Sequence, residues 1–203
     1  MNFKDLMNKI LLGKASVEQI GSARVAEDAN PQGVVSALET ARRAQEFSMM
    51  AKKLWKAGRL EEAVQSLGQS VVLEESNGNL YGVVSDLGNI ATIYRDMHRY
   101  GDAEDILVWL RTKDEQLIEQ PTAASGLRDI GLSETQRQDY QLLYGLHTEG
   151  LARVYIATLR LELAAPLVDE AVSAYQKAKS RDHIEGAEEL QRWVRKKLES
   201  TGR

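Results

Sequence analysis

Three stretches of the chain lie over one another at nine positions with identical offsets. Phe47, Met50, Ala51, Leu54, Gly58, Leu60, Ala63, Leu67 and Ser70 form the first. Leu87, Ile90, Ala91, Tyr94, His98, Tyr100, Ala103, Leu107 and Leu110 form the second, and Thr148, Leu151, Ala152, Tyr155, Leu159, Leu161, Ala164, Val168 and Ala171 the third. Steps of three and four residues put each set's apolar members on one face of a helix. The break at the eleventh residue, followed by the same spacing again, describes two helices joined by a tight turn. The small residues Ala51, Ala91 and Ala152 let the first helix of each pair approach the second closely. Ala63, Ala103 and Ala164 do the same from the returning helix, and the large apolar residues fill the contact ridge into groove.

Helical spacing continues along most of the chain. A short helix is predicted from Phe3 to Leu12, with Phe3, Leu6, Met7, Ile10 and Leu11 on one face, and a second from Ser16 to Asp28. Asn30 before Pro31 is a helix-start signal. The helix it opens runs to Ala57, with Gly58 as its left-handed cap. Further helices are expected over Leu60–Glu75, Leu80–Met97, Tyr100–Leu117 and Leu161–Lys179. The stretch 119–132, with a proline, two glycines and small polar residues, reads as a linker. Ser133 with Gln136, and Asp182 with Glu185, carry capping-box spacing and open two more helices. No strand signal survives, and the fold class is all-α.

Composition removes several chemistries. The chain has no cysteine, so there is no disulfide scaffold, thiol nucleophile or Cys-ligated metal. No apolar run reaches the roughly 20 residues that span a bilayer, and MNFKDLMNKILLGK mixes charge with apolar residues, unlike a signal peptide. The net charge of −4 hides a gradient. Residues 1–60 carry ten Lys and Arg against six Asp and Glu; residues 61–140 carry six against fifteen; residues 141–203 carry ten against nine. An acidic middle disfavours nucleic acid. It reads either as a solvated rim or as a face for a basic partner of the central repeats.

The hairpin pattern, with GRLEEAVQSL from Gly58 and HRYGDAEDIL from His98 as its best matches, resembles the tetratricopeptide repeat family. The resemblance covers residues 44–117 and 145–178. It implies a right-handed superhelical stack of antiparallel helix hairpins, about three repeats with flanking helices. Residues 1–29 would be N-terminal helices, 30–118 repeats one and two, 119–139 an insertion, 140–180 repeat three, and 181–203 a capping helix. Ala63 and Ala103 are 40 residues apart where the family usually has 34, similar to the longer repeats of kinesin light chain and Pins-type adaptors. Pro166 sits where that class often carries proline, near a helix start where it costs little.

In such a stack the first helix of each hairpin lines a concave groove. The resemblance places Gln45, Ser48, Met49, Lys52, Trp55 and Lys56 there from the first hairpin. It places Tyr81, Ser85, Asn89, Thr92 and Arg95 from the second, and Leu146, Glu149, Gly150, Arg153 and Ile156 from the third. Trp55 is either an exposed anchor or packed beneath the N-terminal helices. The Lys, Asn and Arg cluster by which chaperone-binding members clamp a terminal carboxylate is matched only by Asn89. The N-terminal apolar face is expected to cap the stack or contact a second copy, with membrane contact a weaker alternative.

No catalytic motif is present, and His98, His147 and His183 are scattered, with no carboxylate partner assignable to His147. The expected function is a cytoplasmic, non-enzymatic adaptor that binds a peptide or helix of a protein partner, as a monomer or a homo-oligomer, with no cofactor, metal or nucleic acid. The alternative is a small chaperone of a secretion or complex-assembly system.

Overall fold

A computed structural model describes residues 2–11, 31–119 and 133–201, and these are helical apart from turns and helix flanks, with no strand among them. The helices are α1 (Phe3–Leu11), α2 (Pro31–Lys56), α3 (Leu60–Ser76), α4 (Leu80–Asp96), α5 (Tyr100–Glu119), α6 (Glu134–Ala157), α7 (Leu161–Lys177) and α8 (Arg181–Thr201). The helix expected over Ser16–Asp28 and residues 120–132 of the expected linker lie outside the described residues.

The helices form two compact units, Met1–Met97 and His98–Arg203. From α2 onward each unit's helices pack on their neighbours in sequence: α2 on α3 and α3 on α4 in the first, then α5 on α6, α6 on α7 and α7 on α8 in the second. In the first unit α1 also contacts α3, with Leu6, Met7 and Ile10 buried. The N-terminal apolar face is therefore turned into the protein. All six alanines of the repeat pattern are buried, from Ala51 at 1% to Ala164 at 0% exposure, as close helix approach requires.

Five inter-helix turns use one geometry. Gly58, Gly78, His98, Leu159 and Lys179 all have φ between 57 and 74°, in the left-handed region. At the first turn Gly58 N donates to Trp55 O at 2.9 Å and Arg59 N to Leu54 O at 2.9 Å, the paired bonds of a Schellman cap. The turn after α6 repeats them, with Leu159 N on Ile156 O at 3.1 Å and Arg160 N on Tyr155 O at 2.7 Å. Gly58, Gly78 and His98 follow one another at 20-residue steps, as do Leu159 and Lys179. That step is a 17-residue helix (α3, α4 and α7) and its link.

Ser133 caps α6 with a complete capping box to Gln136. The second capping box is not formed: α8 starts at Arg181, so Asp182 lies inside the helix, and the Ser180 hydroxyl meets His183 Nδ1 at 2.7 Å instead. Pro166 is the sixth residue of α7, beyond the first turn. It therefore removes one i to i−4 bond, to Glu162, whose exposed position leaves its carbonyl open to water.

Candidate functional site

In the first unit, side chains of α2 reach α4 directly across their common neighbour α3. Ser48 Oγ donates to Asp86 Oδ2 at 2.8 Å and lies 2.9 Å from Ser70 Oγ on α3. Ser70 in turn donates to Ala44 O at 2.9 Å. About two turns further along α2, Trp55 Nε1 donates to Asp96 Oδ2 at 3.1 Å. Small hydroxyl residues at 48 and 70 leave room for these crossings, so α2 and α4 become the two walls of one face.

At the floor of that face Asp86 is only 6% exposed. Burial pushes its carboxyl above the usual range. Hydrogen bonds from Ser70, Ser48 and Asn89, and the nearby Lys52 ammonium, pull it back only in part. The bond to Asp86 also ties down the Asn89 amide. Sequence spacing did not reveal Asp86; the signal it offered was an acidic residue between Ser85 and Leu87, one position before a repeat residue.

The expected groove residues divide by what holds them. Gln45, Met49, Lys52, Lys56 and Tyr81 are exposed, Met49 at 49% and Tyr81 at 43%. Ser48, Trp55, Ser85, Asn89, Thr92 and Arg95 are half-buried. Trp55 is neither a free anchor nor fully covered, since its indole nitrogen is spent on Asp96. Thr92 Oγ1 is likewise spent on Gly88 O at 3.0 Å.

In the second unit, α6 exposes Leu146 and Arg153 and half-buries Ile156. Glu149 is engaged internally: Arg153 Nε donates to its Oε1 at 2.7 Å and the Tyr175 hydroxyl to its Oε2 at 2.8 Å. The open side of Gly150 is taken by Leu107, whose Cδ2 would stand 3.2 Å from an added Cβ. No ligand backbone can approach there without displacing that leucine.

The same unit holds two polar constellations that sequence reasoning missed. His147 Nδ1 and Asp114 Oδ2 are 2.6 Å apart and join α6 to α5, with the two residues 4% and 1% exposed. Burial raises the Asp114 carboxyl, and His147 opposes that shift. Arg111 donates twice to Glu170 of α7, at 3.0 and 2.8 Å, and the Tyr144 hydroxyl bonds the same carboxylate. Burial, then the Glu170 bond, pushes Tyr144 up to about 12. These pairs join residues on different helices, so the periodicity of any one helix carries no trace of them.

Acidic groups concentrate on particular helices. α3 carries Glu61, Glu62, Glu74 and Glu75 and no Lys or Arg, whereas α2 carries Lys52, Lys53 and Lys56 at its C-terminal end. Among the described residues, no group of three or more His, Asp or Glu could hold a metal ion. No described helix is long and apolar enough to cross a membrane. No protein-family model, curated protein or solved structure matches the chain.

Proposed function

We propose that the chain is a non-enzymatic adaptor whose helix pairs stack as a right-handed, tetratricopeptide-like superhelix and bind a segment of a protein partner along the faces of their first helices. The observation that carries this reading is the α2–α4 face. Ser48–Asp86 and Trp55–Asp96 bind the two walls to each other. Met49, Lys52, Lys56 and Tyr81 remain exposed around them. Apolar side chains beside ammonium groups over a hydrogen-bonded floor suit an extended or helical peptide. Lys52 and Lys56 favour carboxylates on that peptide, so the acidity of the central sequence does not dictate a basic ligand for this face. The buried constellations of the second unit read as structural ties between helices.

The test starts from a partner isolated by affinity capture and purified for reconstitution. Replacing Lys52 and Tyr81 by Ala in the full chain is expected to weaken binding at least about tenfold, the scale of one or two interface anchors. Binding unchanged in that double variant would discard the α2–α4 face.

A further inference from the structure

A second surface of the first unit lies beside the α2–α4 face. Between α2 and α3 runs an open cleft of about 430 Å³. Its floor is Phe47, Met50 and Leu54, and Arg43, Glu46 and Gln69 stand on its rim. Met50 is 53% exposed.

The internal repeat shows what such a cleft holds. A shift of 101 residues carries Phe47, Met50 and Leu54 onto Thr148, Leu151 and Tyr155, and Arg43, Glu46 and Gln69 onto Tyr144, His147 and Glu170. Those six belong to the α6–α7 face of the second unit, and α5 lies on it. There Thr148 and Leu151 are 0% and 2% exposed. Arg111 of α5 grips Glu170, and Asp114 grips His147. Glu104 of α5 binds Arg160, whose counterpart in the first unit is Arg59. The two hairpins offer the same seat, and among the described residues it is filled in one and open in the other.

We infer that the α2–α3 cleft docks an amphipathic helix of another protein chain in the manner of α5, with a carboxylate set against Arg43 and a cation against Glu46. The charge pattern is the reverse of that of α5. Where α5 sets Arg111 against Glu170 and Tyr144, the open cleft presents the Arg43 guanidinium. Where α5 sets Asp114 against His147, it presents the Glu46 carboxylate, held on its other side by Arg42 at 2.5 Å. Met49 stands where Gly150 admits Leu107, so the incoming helix must be small at that position. The helix α1 already contacts α3, but its nine residues reach only about 14 Å at 1.5 Å per residue. The α5 helix, at twenty residues, is more than twice as long. The two surfaces meet at Met49, but neither Lys52 nor Tyr81 lines the cleft, so loss of the α2–α4 reading leaves this one standing.

The probe is a fluorescent synthetic peptide of residues 100–119 carrying Leu107→Ala, Arg111→Glu and Asp114→Lys, titrated against the full chain by anisotropy. A control peptide carries Leu107→Ala alone and so sets Arg against Arg43 and Asp against Glu46. The charge-reversed peptide is expected to bind at least tenfold more tightly than the control. Arg43→Glu with Glu46→Arg in the full chain should invert that preference, and Met50→Glu should abolish binding of both. Far-ultraviolet circular dichroism of each variant verifies that the helices are intact. Equal binding of the two peptides, or a preference that survives the rim reversal, overturns the proposal. So does the absence of binding by either, whether the cleft is closed to helices or filled by this chain or a second copy.

Discussion

Single residues carry strain and burial that can be relieved one at a time. Leu159 holds φ at 59° while 85% exposed, and Lys179 holds 57°, although both carry a Cβ that the left-handed region disfavours. Replacing either by Gly is expected to stabilise the protein by about 0.5–1 kcal/mol, the relieved strain less the added freedom of the unfolded chain. Urea unfolding midpoints check this. Gly145 is the opposite case, since an added Cβ would come 2.6 Å from the ring of the fully buried Tyr175. Gly145→Ala should cost about 1–3 kcal/mol by overpacking. Hydrogen exchange should then quicken first in α6 and α7. At Asp86 the folded carboxyl holds its proton above the pH at which the unfolded chain has released it. Its contribution to stability is therefore complete at low pH and declines as pH rises beyond the ordinary carboxylate range. Asp86→Asn should remove that decline, read as a flatter urea midpoint between about pH 4 and 7.

Elements are held together by pairs that reach across sequence. His147 and Asp114 make the buried tie between α5 and α6. Removing His147 would strand a carboxylate that is 1% exposed and whose Oδ1 already has no hydrogen-bond partner. His147→Ala is expected to cost about 3–5 kcal/mol, measurable by denaturant titration, because an unpaired buried charge is left behind. The helices themselves were legible beforehand. Ala51, Ala63, Ala152 and Ala164 announced close packing, Gly58 announced a left-handed turn, and Ser133 with Gln136 announced a start. His98, Leu159 and Lys179 fill the same turn position without the residue type that would betray it. The second capping box failed because Ser180, two residues earlier, takes the start of α8. Of the candidate face, the resemblance to the repeat family singled out Met49, Lys52 and Tyr81 but not Asp86. An inward carboxylate needs partners on three helices, and one helix's pattern cannot display them.

For the molecule as a whole, every substantial helix pairing within the two units is local, apart from α1 on α3. Chains dominated by such local pairing fold within about microseconds to milliseconds. Stopped-flow refolding is expected to be nearly complete on that scale; a dominant phase of seconds would contradict it. The repeated turn has a further consequence for how such a chain can change length. Each residue inserted inside α3 or α4 would rotate everything beyond it by about 100° and exchange core side chains for solvent-facing ones. The spare length sits elsewhere, in α2, α5, α6 and α8, which at 26, 20, 24 and 21 residues exceed the 17 of α3, α4 and α7. Growth by odd residues is thus confined to those four helices and to connections outside the counted step. Anywhere else, the smallest addition that leaves both faces as they are is a whole pair of helices.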